Sequence, residues 1–582
     1  MVDIKQVWAD NKFLLIAILV NLIMFLFFIV PTNQVPGPLY GGDLYYSLGH
    51  SIHLYDGGAI MDSFHASGEG ETYPWFFHMI TAYAAKWTGM DIYWANLYAV
   101  PLVMCLLLFL IWYGIFQVLF KDKLASVVLA EFAMFCVGVR SYYYASGFAD
   151  LIMLPLITLV LLYYFENKTL FRIQMCTIVI GIAGLTQIHT LYFAGALFFI
   201  LMVNSYFKEK ITALNVSREV SAMIVGLWIA FLYLWVPVFY YNGEIVNNWQ
   251  QYAITALTFG SFLKMFFWDL AGRFIVLKIM AFIGIILYIG SDQKKQFILF
   301  PVVLGLGLIG LIHPMFTIPL LGTDFGYYKY ESIVCLGYTL FAGFFLYYLL
   351  QKIRTDFQKT SYSIMMFVPF ILIFIAVVAV TNQTQEDDRW VQLGYAKDNA
   401  QYAPTIYGEV KNVAGVNDVF IGEHAESLFA LNAATGRKAI LIRRTHFTAF
   451  ADFDKRSADL AVILYGNNES LRHRLIEDYK VKFIYLDGYS EQSKQTCYES
   501  WQTFNNTQYA EQSYACLQTD VKYKDYLAQN GIITQEVEVR KDISRVDAQR
   551  FPLLAIKPNA LMINVTPLNA YQEQGFIIGR VN

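Results

Sequence analysis

The sequence predicts a polytopic α-helical membrane protein: about eleven transmembrane helices followed by a C-terminal extracytoplasmic α/β domain. Three observations carry that expectation. Of 582 residues, 57% are apolar and only 15% charged, whereas soluble domains carry roughly a quarter charged residues. Apolar runs of near-spanning length fill the chain to about residue 381, and ordinary mixed sequence follows. Lysine and arginine favour alternate loops, as membrane topology demands. The formal charge of −3 lacks the basic excess of a chain that binds nucleic acid, and six cysteines are too few for a disulfide scaffold.

A spanning helix needs about 20 mostly apolar residues, because the hydrocarbon core is about 30 Å thick and each residue rises about 1.5 Å. Such runs lie near 13–30, 95–119, 124–140, 148–165, 172–187, 189–206, 219–241, 273–290, 297–314, 330–350 and 363–381. The first reads as an uncleaved anchor, since no small-x-small site follows Val30-Pro31-Thr32. Spans five and six are separated only by Gln187-Ile188-His189, which predicts a tight helical hairpin. The aromatic stretch 250–268, interrupted by Gly260 and Lys264, reads as an interfacial or re-entrant helix. With the N-terminus in the cytoplasm, the inside segments hold fourteen lysines and arginines, and the outside loops up to residue 331 hold five. An odd number of spans then places the tail outside. The expected organisation is a transmembrane domain over 1–381, with a long first outer loop at 31–94, and a soluble extracytoplasmic domain over 382–582.

The inside loops are short connectors, so any chemistry belongs to the outer face. Ionisable side chains at membrane depth are costly and mark function. The outer ends of the spans carry Asp43, Arg140, Asp150, His189, His313, Lys329 and Glu331, with Tyr45, Trp75, Tyr142 and Tyr327 among the aromatics around them. Singly, each has a structural reading: a belt tyrosine, a snorkelling lysine, a capping aspartate. Their recurrence at the outer ends of separate spans predicts one cavity that gathers them.

The Gly42-Asp43-Leu44-Tyr45-Tyr46 context in a long loop after the first span, followed by an amphipathic stretch and Thr72-Tyr73-Pro74-Trp75-Phe76-Phe77-His78, resembles the GT-C superfamily of polytopic membrane glycosyltransferases. Protein O-mannosyltransferases, oligosaccharyltransferase catalytic subunits and aminoarabinose transferases belong to it, and the likeness is greatest to archaeal and other prokaryotic members. It covers 1–381 as an architecture. The resemblance implies that Asp43 is the catalytic acid of the first outer loop. Gly147-Phe148-Ala149-Asp150 and Thr186-Gln187-Ile188-His189 match positions often polar in prokaryotic members, and Gly326 to Glu331 matches a late outer loop whose basic residue, here Lys329, binds the lipid phosphate. The implied substrate-binding set is Lys329, Asp150, His189, Arg140, Tyr45, His78 and Glu331.

The implied activity is single-displacement transfer of a sugar from a polyprenyl (dolichyl or undecaprenyl) phosphate to a glycan or protein acceptor on the extracytoplasmic face of the cell membrane, among membrane lipids. A phosphate leaves as an anion and calls for a cation rather than a general acid, while the acceptor hydroxyl needs one base. No cofactor is required, and a divalent metal is compatible, since some members use one. His50, His53 and Asp56 lie three apart on one helical face and form a weak metal row, without a third strong ligand to close a zinc site. Two alternatives stand beside this reading. Oligosaccharyltransferase-like glycan transfer to protein lacks the Trp-Trp-Asp-Tyr-Gly element in the tail. A transporter or flippase for lipid-linked saccharide predicts inverted repeats, and the spans show no such period.

In the tail, apolar strands near 419–422, 439–442 and 482–486 alternate with helical stretches near 425–434, 455–465 and 469–479. Strand–helix–strand order predicts a small parallel α/β unit, and it lacks a glycine-rich phosphate loop. Apolar alternation near 560–565 and 575–581 predicts a terminal β-element, and Cys497 is expected to pair with Cys516 in an oxidising exterior.

Overall fold

The structure is a computed structural model describing residues 4–29, 43–66, 68–71, 73–137, 145–208, 212–240, 275–292, 297–313, 316, 327–356, 402–448, 450–501, 515–540, 550–571 and 576–582. The chain forms two compact units. One comprises 1–33, 94–232 and 256–395; the other comprises 34–93, 233–255 and 396–582. The division expected at 381/382 is therefore corrected: the first outer loop folds with the tail, not with the spans.

Helices occupy ten of the eleven expected spans: Ile4–Ile29, Ile92 to Phe120, Lys123–Val137, Ala145 to Glu166, Leu170–Thr186, Ile188–Lys208, Ala213–Ala230 continued after Phe231 by Leu232–Tyr240, Ile275–Gly290, Leu299–Ile312 and Glu331–Asp356; all belong to the first unit except Ile92, Tyr93 and 233–240, which are assigned to the second. The eleventh, 363–381, and the stretch 250–268 lie outside the described residues. Four helices are both long and apolar enough to cross a membrane, or five with the broken pair as one; Leu170–Thr186, Leu277–Gly290, Leu299–Ile312 and Asn11–Ile23 are apolar but shorter. A 14-residue helix such as Leu299–Ile312 rises only about 21 Å at about 1.5 Å per residue.

Small residues bring these helices together, as expected where no water drives association. At Gly284 a Cβ would lie 2.0 Å from the Phe341 carbonyl oxygen, and at Gly310 it would lie 2.3 Å from the Tyr330 ring. Aromatic rings fill the space between: Phe120 stacks on Tyr347 at 4.1 Å, and Phe297 meets Phe344 edge-on at 5.3 Å. Two buried carboxylates are hydrogen-bonded, which offsets their desolvation. Asn21 Nδ2 donates to Glu131 Oε1 at 2.6 Å, and buried Glu219 accepts from the hydroxyls of Tyr164 and Tyr206 and faces Lys168 Nζ at 3.4 Å.

The second unit is built on a five-stranded sheet of order β2-β1-β3-β8-β7. Here β1 is Val419–Ile421, β2 Lys438–Ala439, β3 Val481–Asp487, β7 Val565–Tyr571 and β8 Phe576–Val581. β1 runs parallel to both β2 and β3, as strand–helix–strand order predicts, and β8 and β7 add antiparallel strands at one edge. β2 is shorter than the expected 439–442: Leu441 and Ile442 are buried without strand pairing. A three-stranded antiparallel sheet follows, of order β4-β6-β5, with β4 Gln518–Thr519, β5 Thr534–Arg540 and β6 Arg550–Ile556. Cys497 and Cys516 form a disulfide and pack with Val537, Leu553 and Ala555.

The first outer loop is part of this core. Its helix Asp43–Tyr55 lies against helix Ala425–Thr435 so closely that a Cβ on Gly49 would sit 2.9 Å from Ala433 Cα. Ion pairs fasten the two segments: Arg437 to Asp56, Lys438 to Asp62, and Arg456 to Glu69 at 2.8 Å. Hydrogen bonds complete the join, the Ala439 backbone N–H donating to His65 O at 3.1 Å and the Asn432 side-chain Nδ2 to Phe64 O at 2.9 Å.

Candidate functional site

The first unit gathers its predicted polar residues at one place, and the backbone shows why. Helices Leu170–Thr186 and Ile188–Lys208 are interrupted at Gln187 alone, which is extended (φ −162°, ψ 148°). The Thr190 hydroxyl ties the break, donating to Ala183 O at 2.6 Å and to Gln187 O at 2.7 Å. His189 therefore opens the second helix rather than sitting in a hairpin loop. Asp150 lies in a π-turn, Ala149–Met153, immediately before the Pro155-bearing helix Leu154–Glu166. Pro155 lacks the N–H that would bond the Leu151 carbonyl, and a widened turn directly before it accommodates that loss.

His189 Nε2 donates to Asp150 Oδ1 at 2.9 Å. The imidazole is 1% exposed and the carboxylate 30%, so the pair presents its acidic end. Among the described residues His189 Nδ1 has no hydrogen-bond partner. On the same break, the Gln187 side-chain oxygen accepts from Lys329 Nζ at 3.1 Å. Lys329 belongs to the 3-10 turn Tyr327–Tyr330 that leads into helix Glu331–Asp356. An amide oxygen orients an ammonium without neutralising it.

Tyr330 holds this turn in place. Its ring meets Tyr192 at 5.2 Å, His313 at 5.2 Å and His189 at 6.5 Å, and it occupies the space that the absent side chain of Gly310 leaves. Tyr192 OH in turn donates to Leu306 O at 3.4 Å. Three of the predicted residues, Asp150, His189 and Lys329, thus meet in one cluster, and Glu331 begins the helix that follows Lys329. Gln187, Tyr192 and Tyr330 complete it. Gln187 is neutral and gave no charge signal, and Tyr330 reads in sequence like any belt tyrosine.

The remaining predicted residues lie elsewhere. Asp43 and Tyr45 occupy the first turn of helix Asp43–Tyr55 in the second unit; their side chains, and all of Arg140, lie outside the described residues. His78 is in the same unit but in its core. Its Nδ1 donates to Ser47 O at 3.1 Å, its ring stacks on His50 at 4.4 Å, and it is fully buried. A substrate-contacting role for His78 is thereby corrected, because no surface reaches it.

The metal row is corrected for a related reason. His50 and His53 are fully buried around Phe64, and His53 Nδ1 donates to Gly436 O at 2.9 Å. Asp56 is committed to Arg437, to Tyr407 OH at 2.8 Å and to Lys411 at 3.4 Å. Two cations and a phenol already satisfy that carboxylate. Among the described residues no group of three metal-ligating side chains is placed to hold an ion. Burial, and the loss of hydration it imposes on an imidazolium, pushes His53 and His78 down to about 3 and holds His50 and His65 well below the usual histidine range. The residue pattern carried no sign of this four-histidine core, since all four members come from the first outer loop, which reads as solvent-facing.

The sequence matches no known family profile. It is 34% identical over 101 residues to an uncharacterised protein of Methanocaldococcus jannaschii, a match covering 17% of this chain and 74% of that protein. Among solved structures, the apo oligosaccharyltransferase of Archaeoglobus fulgidus aligns with a TM-score of 0.51 at 11% identity, over 85% of this chain and 70% of that one. ArnT from Cupriavidus metallidurans, bound to undecaprenyl phosphate, aligns with a TM-score of 0.45 at 10% identity, over 94% and 98% of the two chains.

Proposed function

From the premise that this chain belongs to one family with the Methanocaldococcus protein and has the GT-C fold of the Archaeoglobus oligosaccharyltransferase, we propose that it is a multi-pass membrane glycosyltransferase. It moves a sugar from a polyprenyl phosphate to an acceptor on the extracytoplasmic face, its N-terminus in the cytoplasm and its second unit outside. The carrying observation is the cluster of Asp150, His189, Gln187 and Lys329, assembled from three distant stretches of the first unit.

Each residue takes a role that its chemistry allows. Asp43 removes the proton from the acceptor hydroxyl as its oxygen bonds to the anomeric carbon. The bond from that carbon to the phosphate oxygen breaks, and the electron pair leaves on the lipid phosphate. Lys329, oriented by the Gln187 amide, offsets the charge that develops there. Asp150, with His189 behind it, binds sugar hydroxyls, because an ionised carboxylate accepts several hydrogen bonds at once. A divalent ion at Asp43 or Asp150 is compatible with these roles, and no step depends on one.

The test is to incubate the purified protein with labelled polyprenyl-phosphate sugars and compare Asp43→Asn and Lys329→Ala with the parent. Asp43→Asn should lower turnover by about 10²–10⁴, the usual contribution of a general base, with donor binding intact. Lys329→Ala should weaken donor binding more than acceptor binding. Transfer that survives Asp43→Asn removes the base assignment, and loss of acceptor binding alone in Lys329→Ala removes the phosphate assignment.

A further inference from the structure

The five-stranded sheet of the second unit changes its winding direction once in its parallel part. From β1 the chain passes through helix Ala425–Thr435 to β2 on one side, and it later enters β3 on the other. Strand order thus reverses between β1 and β3, the point at which open α/β sheets leave a crevice outside their carboxyl ends. A cleft of about 1060 Å³ lies there, at the top of the range of roughly 300–1,000 Å³ for small-ligand sites. Gly422 lets the strand ends approach, since a Cβ on it would lie 2.8 Å from Tyr485 O. Glu423 and Asp487, at those two ends, both line the cleft. Both are nearly buried, and both are held. Glu423 accepts from Lys494 Nζ at 2.6 Å and from Tyr465 OH at 3.1 Å. Asp487 accepts from Ser427 Oγ and from the Ser490 N–H, each at 2.7 Å.

We propose that this cleft is a saccharide-binding site, which takes a neutral oligosaccharide by its hydroxyls and by one ring face. One wall is a single helix face: Glu491, Lys494, Gln495 and Tyr498 recur three and four apart along helix Gly488–Ser500. The Cys497–Cys516 disulfide pins that helix beside Tyr498, which is 58% exposed. Gln495 gives an amide N–H to Glu499 at 2.6 Å and has its oxygen to offer. Asn559, from the segment after β6, spends its Oδ1 on the Ala560 N–H at 2.9 Å and has its amide hydrogens to offer. The charges narrow the ligand class. Carboxylates at 423, 487 and 491 repel a phosphate or nucleotide. A cation would want carboxylates without partners, yet Lys494 already neutralises Glu423 and two donors hold Asp487. Donors and acceptors beside an exposed ring are what the cleft presents. A hydroxyl both gives and accepts a hydrogen bond, and the C–H face of a sugar ring meets the negative face of an aromatic one. The volume suits a short oligomer better than a single ring. The site shares no residue with the transfer roles proposed above.

The test is saturation-transfer NMR on the full chain in nanodiscs free of glycoside detergents. The probes are maltotriose, mannotriose and chitotriose as neutral saccharides, trigalacturonate as an anion and spermidine as a cation. At least one neutral trisaccharide should receive saturation, most strongly at the C–H protons of one ring face. Tyr498→Ala should weaken that binding by up to about tenfold, and Glu491→Ala severalfold. Asp43→Asn should bind the trisaccharide as the parent does. No transfer to any neutral trisaccharide at millimolar concentration overturns the proposal, as does preferential binding of trigalacturonate or spermidine. Binding unchanged in both cleft variants also overturns it, because the saccharide then sits elsewhere. Both substitutions fall at solvent-facing positions, so two separate variants guard against one that fails to fold. None of these outcomes depends on whether the chain transfers sugar.

Discussion

Acidification should loosen the second unit, and the buried histidines set the size of the effect. His53 and His78 hold pKa values of about 3 in the folded chain against an ordinary 6.5. The unfolded chain therefore binds more protons than the folded one between those limits, and stability falls as pH drops through 6.5 towards 3. It is flat above 6.5. At pH 5 each histidine has lost about 2 kcal/mol, from about 1.4 kcal/mol per pH unit over roughly 1.5 units. The two together cost about 4 kcal/mol, a large share of a typical 5–15 kcal/mol. His50 and His65 act in the same direction. Nearby Arg437, Lys438 and Arg456 oppose protonation, and Asp56 favours it. The assay is hydrogen exchange of peptides spanning 43–88 and 425–456 in the full chain in nanodiscs, from pH 8 to pH 5, with rates corrected for intrinsic chemistry. His78→Leu removes one titrating group and should shallow the pH dependence by about 2 kcal/mol at pH 5. Protection that is constant across the range, or a dependence unchanged in His78→Leu, refutes the argument.

Two further outcomes follow from the packing. Gly310→Ala places a methyl 2.3 Å from the Tyr330 ring, whereas Gly305→Ala on the same helix meets nothing within 4 Å. The first should cost about 1–3 kcal/mol and displace the Lys329 turn, weakening donor binding, while the second should leave both thermal stability and binding near the parent. Arg437→Ala leaves the buried Asp56 carboxylate short of its principal partner and should cost about 3–5 kcal/mol, read as a lowered denaturation midpoint of the second unit.

Sequence revealed the ionisable part of the cluster because charge inside an apolar span is itself the signal. Asp150, His189 and Lys329 stood out for that reason. Their supports did not. Gln187 is uncharged, and Tyr330 matters through a void at Gly310, which only packing discloses. In the tail, the strands at 419–421 and 481–487 were legible from short apolar runs bounded by helices, and their parallel pairing followed from order alone. Thr534–Arg540 was not legible, because its alternation is mostly polar. Leu441-Ile442 misled in the other direction: it is as apolar as a strand and as buried, yet its backbone pairs with none. The largest revision, the loop joining the tail, rests on pairs such as Asp56–Arg437 that lie 381 residues apart, a separation at which no local pattern survives.

That separation has a consequence for biosynthesis. At a chain growth of roughly 5–20 residues per second, the segment around Arg437 emerges about 20–80 s after Asp56 has been made. Throughout that interval the Asp43–Tyr55 helix has no Ala425–Thr435 helix to lie against, and its histidines sit in water. The nascent protein must carry a half-built outer body while its later helices are still being inserted. A ribosome stalled before residue 437 should therefore display a loop open to protease, and one released at the terminus should not.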